Sequence, residues 1–194
     1  MSKTRLEAFS DAVIAIIMTI MVLELEIPHK PSWGALRPLI PKFLTYVLSF
    51  VVLAIYWNNH HHLIHTCKKM NGKMLWANMH LLFWLSLTPF VTGWMGENHF
   101  APAPVAAYGV VLLLAAIAYY ILQTQIISAH GEGSLLQQAI GKDIKGKISP
   151  LCYVAAIPLS FWNRWAAVSL YVFVGILWLI PDRRIESLIE KESN

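Results

Sequence analysis

Apolar residues in this chain recur in runs of about 20, each long enough to cross ~30 Å of hydrocarbon as a helix. That recurrence restricts the fold more than any motif does. Six such runs are readable: Phe9–Ile27, Pro41–Leu63, Met74–Met95, Pro104–Ile127, Ile148–Trp162 and Trp165–Ile180. Fully 57% of the residues are hydrophobic and 13% charged, which leaves no large soluble domain. Backbone groups facing lipid must be bonded within their own segment, and the period-two alternation of a barrel is missing. The predicted fold is therefore an all-α membrane protein with six transmembrane helices, the whole chain forming one domain. The fifth run, with Pro150 and Pro158, is the shortest.

Lysine and arginine set the orientation. With six spans both termini share a side, and that side collects Lys3, Arg5, Lys68, Lys69, Lys73, Lys142, Lys145, Lys147, Arg183, Arg184 and Lys191. The other side has Lys30, Arg37, Lys42 and Arg164. The bias predicts cytosolic termini, and a bilayer as the surrounding medium. Basic residues spread over separate cytosolic segments make no continuous face, so nucleic acid is not an expected partner. Cys67 and Cys152 fall near the cytosolic side, where thiols stay reduced. The acidic residues Glu7 and Asp11 disfavour a signal peptide. The longest polar connection is Ser128–Gly146, and Pro181–Asn194 reads as a short charged helix.

The first run carries Arg5, Glu7, Ser10 and Asp11 where a bilayer begins, although an intramembrane charge costs at least ~2.5 kcal/mol at a helix centre. At about 100° per residue, Ile16, Ile20 and Leu23 form one stripe, with Thr19 near its edge. Asp11 points with a second face that includes Met18, Met21 and Leu25. Both stripes also suit ordinary helix packing. Asp11 is too short to reach far toward the headgroups, so it needs a partner, Arg5 or a histidine from another helix. His60, His61, His62 and His65 lie at the cytosolic end of the second run, and Asn78 and His80 share that depth on the third. No HExxH glutamate or carboxylate cluster accompanies the histidines, so a metal site is not expected. Glu24 and Glu26, at the outer end of the first run, suit solvated helix-end charge or a field that gathers cations.

Three motifs now join these residues to a known pattern. "RLEAFSD" places Arg5, Phe9, Ser10 and Asp11 as R-x-x-x-F-S-D; "WNNHHHLI" supplies Trp57 and His60; "NMHLLFWLSLTPF" sets Asn78 before Pro89. Together they resemble the signature of the transmembrane protein 175 family, the endolysosomal potassium channels and their prokaryotic relatives. The resemblance covers the first three helices; the last three agree in number and hydropathy. It implies a single-repeat prokaryotic form in the cell's inner membrane, assembled as a homotetramer whose first helices line a central pore. It further implies a pore constriction at Ile16, followed outward by Ile20 and Leu23, with Thr19 beside the path. Arg5, Phe9, Ser10, Asp11, Trp57, His60 and Asn78 become a structural network that holds the pore helix.

The implied activity is conduction of potassium among monovalent cations, without enzyme chemistry, metal or cofactor. No TVGYG-like loop is present to replace an ion's hydration shell with carbonyls, so selectivity rests on a hydrophobic narrowing. The histidines keep a proton or proton-regulated channel open as an alternative. A secondary transporter predicts corresponding halves and a broken midplane helix, and a membrane-embedded metal enzyme predicts a nucleophile or carboxylate dyad.

Overall fold

The computed structural model of the chain describes residues 2–67, 70–130 and 144–179. Its helices are α1 (Lys3–Leu23), a 3-10 helix (Trp33–Leu39) that runs into α2 (Ile40–His65), then α3 (Gly72–Ser86), α4 (Thr88–Glu97), α5 (Pro102–His130), α6 (Ile144–Trp162) and α7 (Arg164–Leu179). Because α3 and α4 form one interrupted pass, the helices make six passes. Four segments are long and apolar enough to cross a bilayer: Lys3–Leu23, Trp33–His65, Gly72–Glu97 and Pro102–Ala129. Arg164–Leu179 is a shorter apolar helix. The connection predicted for Ser128–Gly146 is helical at both ends; its middle, 131–143, lies outside the described residues, as do Lys68, Lys69 and the C-terminal segment 180–194.

Local chemistry explains where the helices begin and stop. Ser2 caps α1, its hydroxyl accepting from the Arg5 N–H, so the helix starts well before the apolar run. It stops at Leu23, four residues short of Ile27, and leaves Glu24 and Glu26 beyond its end. Pro28 contributes, since the residue before a proline is pushed out of the helical region. Asn71 caps α3 through the Met74 N–H at 2.9 Å. The third run, continuous by hydropathy, breaks at Leu87 because Pro89 lacks an N–H and its ring clashes with the carbonyl four residues back. In the new first turn of α4 the same proline is well tolerated.

The ends of α4 and α6 are equally specific. His99 and Phe100 adopt φ of 50° and 58°, and the Phe100 N–H reaches the Met95 carbonyl at 3.0 Å while that of His99 reaches Gly96 at 3.3 Å. This is a Schellman closure achieved without glycine, sealed by burial of both Phe100 and Met95. Asn163 alone separates α6 from α7, its side-chain oxygen accepting from the Trp165 and Ala166 N–H groups at 3.2 Å each.

Packing divides the bundle. α1 lies on α2, α3 and α4, whereas α5 packs against α3, α4, α6 and α7. One buried cluster joins Leu6, Ile14, Ile17 and Met21 of α1 to Leu81 and Leu85 of α3 and Ala118 and Leu122 of α5. A second joins Val52, Met95, Tyr108, Tyr153 and Tyr171. Helices approach most closely at two glycines. A Cβ on Gly96 would sit 2.8 Å from the Lys42 Cα, and one on Gly109 would strike the Tyr171 hydroxyl, which donates to the Val105 carbonyl at 3.0 Å.

Candidate functional site

The site is built on α1, whose two sides differ. On the bundle side, Ser10 is fully buried and donates to the Leu6 carbonyl one turn back at 2.9 Å. Its oxygen also accepts from the Asn78 amide at 2.9 Å, and the Asn78 carbonyl bonds the His60 Nε2 at 2.7 Å. Three helices, α1, α3 and α2, are thereby tied at one depth by groups whose buried polar atoms are all satisfied. Asp11 has a separate partner: the Trp57 indole N–H donates to it at 3.0 Å. Arg5 and the histidines had been the expected partners, and neither fills the role. The Arg5 side chain is exposed and forms no bond to a described residue, and Phe9 is exposed beside it. His80 faces elsewhere and accepts from the Trp84 indole at 2.9 Å.

Along α2, His61 stacks on Trp57 and lies tilted against His65. Trp57 and His61 lie 6.2 Å apart by ring centroid, and His61 and His65 also 6.2 Å. No group of three or more His, Cys, Asp or Glu among the described residues could hold a metal. At this end Lys3 donates to the His65 carbonyl at 2.6 Å. At the opposite end Lys42 joins Glu26 at 2.7 Å and Glu97 at 3.2 Å. The charged residues thus mark two ends of one bundle, with the polar ties of α1 crowded toward the first.

On the outward side, Ile16 is 56% exposed and Leu23 80%, with Phe9 and Ile20 in line with them. Thr19 is exposed too, but its hydroxyl is spent on the Ile16 carbonyl at 2.9 Å. Ile16 and Ile20 border an open groove whose other wall is α4, through Pro89, Phe90 and Trp94, with Glu24 and Glu97 at its end. That wall had not been foreseen. Its one visible signal is Pro89, which marks the break that frees α4 to take its own direction.

A sequence model of the family described as "Endosomal/lysosomal potassium channel TMEM175" matches residues 5–89, the part that holds α1 and its partners. A protein of Chryseobacterium sp. (strain P1-3) named as a potassium channel is 54% identical across 98% of this chain and its own full length. The chain belongs to the TMEM175 family. A second member, named as a potassium channel of Chamaesiphon minutus, is 30% identical over 91% of this chain and 93% of its own. A crystal structure titled as a lysosomal potassium-selective TMEM175 homolog from that organism superposes with a TM-score of 0.81 at 26% identity, covering 93% of this chain and 97% of the other. Human TMEM175, named as an endosomal/lysosomal proton channel, shares 32% identity with 43% of this chain, which spans 19% of the human protein.

Proposed function

We propose that the chain assembles as a homotetrameric, potassium-permeable cation channel in the cell's inner membrane, with both termini cytosolic and α1 of each subunit facing a central pore. One observation carries the reading: α1 has a packed face toward its own bundle, Leu6, Ile14, Ile17 and Met21 with the hydrogen-bonded Ser10, and an exposed stripe of Phe9, Ile16, Ile20 and Leu23 away from it. Family members named as potassium channels support the choice of ion. The excess of lysine and arginine on the Lys3 side supports the orientation.

In this reading Ile16 makes the constriction, Ile20 and Leu23 continue it outward, and Thr19 lies beside the path. Isoleucine offers no lone pair to a cation, so a ring of them narrows the pore and resists wetting. Potassium binds its water less tightly than sodium because its charge density is lower, and crosses such a ring at smaller cost. Selectivity of this origin is modest beside that of a carbonyl filter. Glu24 and Glu97, at one end of the groove, raise the local cation concentration through their field. Ser10, Asp11, Trp57, His60 and Asn78 hold α1 in register and do not touch the ion.

The test is flux through purified protein in liposomes, with potassium or sodium gradients and a proton-sensitive dye. Potassium flux should exceed sodium flux without added metal. Ile16→Asn should hydrate the narrowing, raising conductance and lowering potassium preference; unchanged currents would remove Ile16 from the pore. Proton flux without potassium flux would favour the proton-channel reading suggested by the names of the animal relatives.

A further inference from the structure

A cavity of about 60 Å³ lies away from α1, among α2, α5, α6 and α7. Its polar groups are neutral and incompletely used. Gln123 is 7% exposed and Tyr153 4%, and Tyr56 is half-buried. All three line the cavity, none of their side chains hydrogen-bonds a described residue, and none of their polar atoms is both buried and unbonded. Other groups on the wall are already committed. The Trp178 indole donates to Ser149 at 2.8 Å, and the Tyr119 hydroxyl to the Asn59 carbonyl at 3.2 Å. Gly175 borders the same space: it is buried, yet a Cβ built on it would meet nothing within 4 Å. A buried glycine with open room beside it and three unused hydrogen-bonding side chains on the same wall make a pocket suited to a polar group.

Among the described residues, no lysine, arginine, aspartate, glutamate or histidine lines the cavity, so a charged head would lose its water there without compensation from them. The volume is too small for a whole lipid. It suits one small uncharged head, a hydroxyl or an ester with its first carbons. Tyr120 lines the cavity and is also 64% exposed on the outer surface of α5, which gives a tail a way out toward hydrocarbon. We infer that this cavity binds the neutral, hydroxyl-bearing head of a single-chain amphiphile, held by Gln123, Tyr56 and Tyr153, with its tail leaving past Tyr120 into the bilayer. The site is independent of the ion path along α1.

The experiment reads occupancy, so its outcome does not depend on ion flux. The full chain, in phosphatidylcholine nanodiscs, is photolabelled with oleyl alcohol that carries a diazirine near its hydroxyl, and the cross-links are mapped by mass spectrometry. Saturable labelling of the cavity wall on α5, α6 and α7 is expected. Unlabelled oleyl alcohol should displace it at least tenfold better than oleate at pH 9, where the carboxylate is charged. Gly175→Val, which fills the space, should abolish the label. Gln123→Leu keeps the side-chain volume while removing the amide, and should weaken labelling about fivefold, the worth of one hydrogen bond; it stays informative if the valine variant fails to fold. Non-saturable label spread over lipid-facing residues such as Leu151 and Phe173, or equal competition by oleate, would overturn the inference. So would labelling indifferent to Gln123→Leu, or a wall that takes up no label and so holds water alone.

Discussion

The two sides of α1 share a helix and a similar apolar content, yet they are held by different physics. Toward the bundle, Leu6, Ile14, Ile17 and Met21 are closed in by neighbours of the same chain, and Ser10 enters a chain of hydrogen bonds through Asn78 to His60. Away from it, Phe9, Ile16, Ile20 and Leu23 stay partly to largely exposed, Ile16 and Ile20 bordering the groove shared with α4. Apolar surface is not by itself anomalous in a membrane, because lipid tails are as apolar as leucine. What separates the sides is commitment: the inner face is fixed by one chain, the outer face is left for contacts beyond it.

Substitutions along α1 should separate the faces by size of effect on stability, measured by thermal or denaturant unfolding in detergent. Ile14→Ala should be the most damaging, at about 2–4 kcal/mol, because a void inside a packed bundle loses contacts in lipid as in water. Asn78→Ala follows at about 1–2 kcal/mol, since it takes His60's partner and one of Ser10's two bonds; hydrogen bonds between membrane helices are individually modest. Trp57→Phe keeps an aromatic ring, smaller than the indole, and removes the donor to Asp11, so about 0.5 kcal/mol is expected, the site being exposed. Ile16→Ala should shift unfolding least, below about 0.5 kcal/mol, while changing ion flux several-fold. A large stability loss at Ile16 together with a small one at Ile14 would invert the comparison and place the pore elsewhere.

Much of this arrangement is legible in the sequence. The helical period separates Ile16, Ile20 and Leu23 from the opposite side of α1, and the polar residues at the ends of three runs forecast a meeting of α1, α2 and α3. The particular partners are harder to read. Asp11 takes an indole where a cation or imidazole was the natural expectation, because partner choice depends on helix rotation that no spacing encodes. The break at Leu87 hides inside unbroken hydropathy, with Pro89 as its single trace. Gly175 is the clearest limit: a glycine in an apolar run does not tell whether a neighbour presses on it, as Lys42 and Thr45 do at Gly96, or whether a cavity lies beside it.

The placing of the ties along α1 has a mechanical consequence. Lys3, Ser10 and Asp11 all fasten to other helices within its first half, and past Asp11 the one polar side chain on the helix, Thr19, bonds its own backbone. From there to Leu23 only van der Waals contact restrains it. Its far end is held as well, just beyond the helix, where Glu26 pairs with Lys42 at 2.7 Å, but Glu26 is exposed and an exposed ion pair is a weak support. A rod clamped firmly at its root and loosely past its tip yields most in its outer half, so in the channel proposed above the ring at Ile16 is the stiffer gauge and the one at Leu23 the more compliant mouth.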